Sequence, residues 1–172
     1  MHFPLFLELE GRPCLVVGGG PVAVRKARAL ADCGAQVKTV APEVSGRTFE
    51  DGDVEGMALV VSATNDRAVN RRVAELCRAR GIPVNVVDDP ANCTFIFPAV
   101  VRKGPMTVAV SSGGACPVAA KMVRDKVAGC LPDDFVAAVG RLGNDRENLK
   151  REYPDPQARR RACEEALKRW KD

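Results

Sequence analysis

The sequence predicts an α/β fold: a Rossmann-like parallel sheet followed by a small dimerisation region and a helical C-terminal region. Three observations predict it. A short apolar run, Cys14–Val17, breaks into Gly18-Gly19-Gly20 and then into a helical pattern. Apolar runs of strand length alternate with helical stripes as far as Val87. Beyond that point the chain becomes proline-broken and then mostly helical. Alternation of strand and helix implies parallel strands joined by right-handed crossovers.

Each element has its own signal. Cys14–Val17 is the first strand. Pro21–Ala31 is the first helix, because Pro suits a first helical position and Ala27, Leu30 and Ala31 form an apolar stripe. Gly34 stops it. Gln36–Val40 is the second strand, and Val44–Gly56 is polar and glycine-containing, with no third strand or long helix to be read in it. Ala58–Ser62 reads as a buried strand. Thr64 or Asn65 caps a helix whose Val69, Val73 and Leu76 share a face, and Gly81 ends it. Val84–Val87 is a strand, Asp88-Asp89-Pro90 a turn, and Phe95–Val101 an extended stretch. Met106–Val110 is a further strand running into Ser111-Ser112-Gly113-Gly114. Helices then begin at Pro117, reaching about Cys130, and at Pro132, with Phe135, Val136, Val139 and Leu142 as the second one's apolar side. Tyr153–Pro156 interrupts the pattern before a last helix striped by Cys163, Ala166, Leu167 and Trp170.

Composition narrows the function classes. Of 172 residues, 46% are hydrophobic and 28% charged, a globular balance with no apolar run of membrane-spanning length. Met1–Glu10 lacks the basic start and apolar core of a signal peptide, so a cytoplasmic location is expected, with no membrane partner. Seven dispersed cysteines, never spaced as Cys-x-x-Cys, read as small buried hydrophobes rather than a disulfide frame or zinc site. The single histidine is His2, near a terminus, so no metal site is expected and acid–base chemistry falls to other groups. The net charge of +4 is uneven. Arg102, Lys103, Lys121, Arg124 and Lys126 cluster in sequence, and Lys150–Lys171 adds more bases. Aromatics are few and no nucleic-acid motif occurs, so a small polyanion is the expected partner and nucleic acid is not.

The glycine run is a phosphate-site pattern. Gly18 allows a tight turn, Gly20 lets backbone approach a pyrophosphate, and Ala23 is small enough for helix to pack on strand. With Pro21 and Val22 these glycines form the expected dinucleotide contact, since helix N-terminal N–H groups favour an anion. Pro42 and Glu43 follow the second strand, where a ribose would lie. The Glu43 charge would repel a 2′-phosphate, which predicts NAD over NADP. Ligands in such sheets sit beyond the carboxyl ends of the strands, which adds Ser62–Asn65 with Thr64 among them, Asp88–Asp89 and the Ser111–Gly114 turn.

Taken in order, these segments resemble the precorrin-2 dehydrogenases, including the N-terminal part of siroheme synthases. The resemblance rests on Pro4-Leu5-Phe6-Leu7, Val16–Gly20 with Val22-Ala23 and Arg25-Lys26-Ala27, Ala63-Thr64-Asn65-Asp66, Val69-Asn70, Asn85–Asp88, Phe95–Pro98, and Val108–Gly114 with Pro117. It covers nearly the whole chain. It implies NAD-dependent removal of two hydrogens from precorrin-2, giving sirohydrochlorin, with a many-carboxylate tetrapyrrole as the partner of Arg102 and Lys121–Lys126. The family's key carboxylate falls on Asp88, while Asp89 is read as capping the turn. Ser112 matches a serine near the tetrapyrrole site in relatives. Its polar-turn role with Gly113 stands beside the binding one, and Lys121 and Arg124 complete the substrate set. Two alternatives remain open on sequence: the same carboxylate also serving a sirohydrochlorin ferrochelatase, and a non-catalytic dinucleotide-sensing module. Two departures from the family stand out. Val44–Gly56 is too short for the strand and helix usual there, and no methyltransferase domain follows the helical end, so methylation is expected from another protein. The expected division is 1–110, an NAD-binding domain with a strand extension, and 111–172, a helical region for the substrate site and for a homodimer contact that covers elements too few to form their own core.

Overall fold

A computed structural model describes residues 2–170; Met1, the first residue of the Met1–Glu10 stretch read above, and Lys171, the last base of the C-terminal run, lie outside the described residues. The order is β1 (Pro13–Val17), α1 (Pro21–Ala31), β2 (Gln36–Val40), α2 (Pro42–Ser45), a 3₁₀ turn (Asp51–Val54), β3 (Leu59–Ser62), α3 (Arg67–Ala79) and β4 (Val84–Val86). A second 3₁₀ turn (Pro90–Asn92) precedes β5 (Ala99–Lys103) and β6 (Met106–Val110). Helices α4 (Pro117–Gly129), α5 (Asp133–Asn144), α6 (Arg146–Glu152) and α7 (Pro156–Ala166) follow, with a closing 3₁₀ turn (Lys168–Trp170).

The chain falls into two compact units divided between Ile96 and Phe97. The boundary expected after Val110 therefore differs from the observed one: β5 and β6 pair with each other and group with the helices that follow. In the first unit the strands form a parallel sheet in the order β2-β1-β3-β4. Leu15, Val17, Val60, Val84 and Val86 are fully or almost fully buried and meet Val73, Ala74, Leu76 and Cys77 of α3. Each such aliphatic side chain removed from water contributes about 1.5–3 kcal/mol, and this core fixes the strand ends on which the site is built. The stripe expected on α1 is narrower than predicted: Ala23 and Leu30 are buried, Ala27 is half-buried and Ala31 faces solvent.

Val44–Gly56 contains no strand and only short helical turns. It is held instead by one carboxylate. Asp53, buried at the end of a capping box with Glu50, accepts from Lys38 Nζ (2.8 Å), from Arg47 Nη1 (2.8 Å) and Nη2 (2.5 Å), and from the Glu50 amide (3.0 Å). These donors hold its carboxyl far below the ordinary carboxylate range, the Arg47 guanidinium foremost.

In the second unit the β5–β6 hairpin is antiparallel, with Arg102 opposite Thr107. Val101, Leu131 and Val136 form a small core with Met106, Val108 and Phe135 around it. Lys103 Nζ bonds the Leu131 carbonyl (2.6 Å) and Asp133 (2.7 Å), tying the hairpin to the start of α5. Helix α6 was not expected from the pattern, because Arg146–Glu152 is polar throughout save Leu149. Cys14 and Cys77 are the buried small hydrophobes predicted, whereas Cys116 and Cys130 are exposed.

Candidate functional site

Four parallel strands place their carboxyl ends on one edge, and the first unit's predicted residues gather there. Gly18 follows β1 at φ 121°, and its amide donates to the Val40 carbonyl at 2.9 Å. A Cβ at Gly18 would stand 2.5 Å from the Ala63 carbonyl oxygen, so glycine alone lets the exits of β1 and β3 close on each other. Gly20 differs. It is the N-cap of α1 at φ −70°, and a Cβ there would meet nothing within 4 Å. No side chain caps this helix start, which Pro21 opens. Open ground before uncapped amides is what a pyrophosphate requires, so the residues present fit a dinucleotide.

Beside this turn, α2 carries Pro42 and Glu43. The Glu43 carboxylate lies against Gly19, so that a side chain there would make the flexible Glu43 side chain give way. Glu43 is thus placed at the glycine turn and exposed. On the same edge burial lowers the amine of Lys26 on α1 to about 8, with Arg25 acting the same way and Cys93 opposing it.

The loop after β3 is built around a residue not singled out from sequence. Asn70 is buried on α3, and its Oδ1 receives the Ser62 hydroxyl (2.7 Å), the Thr64 hydroxyl (2.8 Å) and, more distantly, the Thr64 amide (3.4 Å). Its Nδ2 donates to the Thr64 carbonyl at 3.0 Å. Thr64 is therefore turned inward, and Asp66, not Thr64 or Asn65, caps α3 by accepting from the amides of Ala68 (2.8 Å) and Val69 (3.2 Å). The signal was available. Asn70 occupies the first place of an i, i+3, i+4, i+7 stripe completed by Val73, Ala74 and Cys77, where a polar residue must find buried partners.

Asp88 stands beyond β4 at φ 56°, the one non-glycine residue with positive φ among the described residues. It is exposed, and its carboxylate makes no hydrogen bond within the described chain. Asp89 is committed to the turn: its Oδ2 receives Asn92 Nδ2 at 2.7 Å, its carbonyl the Asn92 amide at 3.1 Å. Adjacent aspartates thus differ in kind, one structural and one available.

In the second unit Ser112 and Gly113 lie in the turn after β6. The Ser112 hydroxyl accepts from the Cys116 amide (3.0 Å) and its carbonyl from the Ala115 amide (3.1 Å); Gly113, at φ 64°, donates to Ser111 Oγ (3.0 Å). Lys121 and Arg124 lie on α4, the first exposed, the second paired with Asp125 at 2.7 Å. Among the described residues no group of three His, Cys, Asp or Glu side chains converges as a metal site would need. No helix among them is long and apolar enough to cross a membrane.

A family model described as putative NAD(P)-binding matches residues 5–99, and one described as sirohaem biosynthesis protein central matches residues 103–129. The chain is 45% identical over 174 residues to a siroheme synthase of Ectopseudomonas mendocina and 45% identical over 172 residues to one of Pseudomonas aeruginosa, each covering 91% of this chain and 37% of the relative. A siroheme synthase of Methylococcus capsulatus is 44% identical, over 96% of this chain and 38% of its own. The chain thus spans little more than a third of the curated relatives it matches. Among solved structures it is similar to SirC, precorrin-2 dehydrogenase, with a TM-score of 0.67, 25% identity and 98% of both chains covered.

Proposed function

The chain belongs to the putative NAD(P)-binding family, with the sirohaem-biosynthesis central segment behind it, and from that premise we propose that it oxidises precorrin-2 to sirohydrochlorin with NAD as acceptor. The observation that carries the reading is Asp88: a carboxylate with no internal partner, held in a left-handed turn on the sheet edge that bears the glycine loop. NAD, when bound, supplies the hydride acceptor. Gly18, Gly20, Pro21 and Val22 present backbone to its pyrophosphate, Pro42 and Glu43 flank its ribose, and Thr64 offers the loop that Asn70 rigidifies. Loss of hydride leaves the substrate one positive charge, and a proton must then leave. Asp88 stabilises that charge and takes the proton, so the balance is substrate plus NAD⁺ giving product, NADH and H⁺.

The precorrin is a polyanion, and in the second unit Lys121 and Arg124, with the amide-rich Ser112–Gly113 turn, offer the donors that carboxylates require. The exposed Val118, Met122 and Val123 of α4, each 47–64% accessible, support a homodimer in which a second copy covers this helix.

An anaerobic assay tests the reading: purified protein is mixed with precorrin-2 and NAD while NADH and sirohydrochlorin absorbance are followed. Wild type forms both together, and Asp88→Ala lowers turnover about a hundredfold or more with its melting temperature kept. Full turnover by Asp88→Ala removes Asp88 from the mechanism. NAD binding without product identifies a sensing module instead. Ferrous ion added after sirohydrochlorin has formed reports any chelatase activity at the same carboxylate.

A further inference from the structure

The turn that carries Asp88 is gripped by a thiol. Cys93 Sγ lies 3.2 Å from the Val86 carbonyl and 3.3 Å from the Asp89 carbonyl, and it accepts from the Val86 amide at 3.2 Å and from Asn85 Nδ2 at 3.5 Å. Val86 is the last residue of β4, and Asp89 is the first beyond Asp88. One sulfur therefore spans both ends of the excursion made by Val87 and Asp88.

The grip is itself anchored. Cys93 packs against the core beneath the sheet, its amide donates to the Pro90 carbonyl (3.2 Å), and the next residue, Thr94, bonds the backbone of Val84 through its amide (2.8 Å). Asn85 Nδ2, which touches the thiol, also holds the Phe95 carbonyl at 3.0 Å. Across the turn, the Asp89 amide reaches the Val86 carbonyl at 3.3 Å. These contacts oppose a real tendency to relax, because an L-residue at φ 56° is disfavoured even when it is Asp, among the most tolerant. Sulfur suits the place, being large and weakly directional enough to reach two carbonyls and an amide from one position.

We propose that Cys93 is a positioning residue for Asp88: its thiol clips Val86 to Asp89 and so fixes the left-handed turn that presents the carboxylate. This rests on the reading of Asp88 as the proton acceptor. A small side chain that merely filled the core would affect stability and nothing else.

The test compares Cys93→Ala and Cys93→Ser with wild type, alone and in an Asp88→Ala background, by anaerobic kinetics and by amide hydrogen exchange at Asp89. Cys93→Ala is expected to lower kcat by about tenfold to a hundredfold while KM for NAD stays within about twofold, as a misplaced catalytic group would. Cys93→Ser, which keeps a donor and an acceptor, recovers most of that loss. In the Asp88→Ala background the Cys93 change has no further effect on kcat. Exchange at the Asp89 amide quickens by about tenfold in Cys93→Ala, with or without NAD. Unchanged kcat and exchange in Cys93→Ala overturn the proposal, as does an undiminished kcat effect once Asp88 is gone. If Asp88→Ala turns over normally, the catalytic reading of Asp88 fails, and the exchange measurement still decides whether the thiol holds the turn.

Discussion

Gly18 and Gly20, two residues apart, answer to different constraints. The first is demanded by the protein: φ 121° and a carbonyl oxygen 2.5 Å from any Cβ leave no room for another residue. The second is under no such demand, since space around it is open, and its expected role lies in the proposed approach of a pyrophosphate. Gly18→Ala is expected to cost at least about 2 kcal/mol, read from chemical denaturation. Gly20→Ala should keep stability within about 0.5 kcal/mol and weaken NAD binding, measured by calorimetry. A Gly20→Ala protein that binds NAD as wild type does would show that the backbone there is not approached. Glu43, pressed on Gly19, gives a parallel test of discrimination. The wild-type kcat/KM is expected to favour NAD over NADP by about tenfold or more, and Glu43→Gln to narrow the ratio. Equal kinetics with both cofactors would remove Glu43 from recognition. The glycine pattern, Glu43 and the Asp88-Asp89 pair could be located from sequence because spacing and strand ends announce them, while the choice of Asp88 rests on the resemblance. Asn70 left only the trace of a polar residue on an apolar stripe, and Cys93 left none, since the partners of both are supplied by the folded loop.

At the level of elements, strands and long helices were legible because burial imposes a period on them. The segment from Val44 to Gly56 was legible only as lacking a strand or long helix. What orders it is a single buried carboxylate with two bases, and ion pairing across Lys38, Arg47 and Asp53 leaves no periodic trace. Lys38 and Arg47 remain 48% and 37% exposed, so the cost of losing the pairing falls below that of a fully buried pair. Asp53→Asn is expected to cost about 2–3 kcal/mol at pH 7. The sign of its pH dependence follows from the lowered carboxyl: stabilisation is complete above the unfolded-state value of about 4 and is lost as pH falls toward the folded value. Denaturation midpoints measured from pH 7 down to pH 2 should therefore fall more steeply for wild type than for Asp53→Asn. Parallel acid limbs would mean that Asp53 contributes no linkage. Helix α6 escaped prediction for the converse reason. Its side chains are nearly all polar, and local pairs such as Lys150–Glu147 (2.6 Å) accompany it without an apolar stripe.

For the whole molecule, the unit that begins at Phe97 has a core of few residues, and α4 leaves Val118 and Met122 one turn apart in solvent. Sedimentation equilibrium is expected to give a dimer for wild type and to shift Met122→Glu toward monomer; a wild-type monomer at micromolar concentration would remove the homodimer. The boundary expected after Val110 and the division between Ile96 and Phe97 differ in where they put the β-hairpin, which carries no mark in sequence of which neighbour it will group with. The first unit's sheet ends at β2, whose outer backbone has no further strand among the described residues. Lys38 in the middle of that strand, tied to Asp53, places charge along the open rim. Such a rim is a template on which chains add to one another, and a charged side chain is the usual guard against it. A variant that removes the Lys38 charge should accordingly be watched for aggregation as well as unfolding, for it would strip the rim of its guard along with one anchor of the loop.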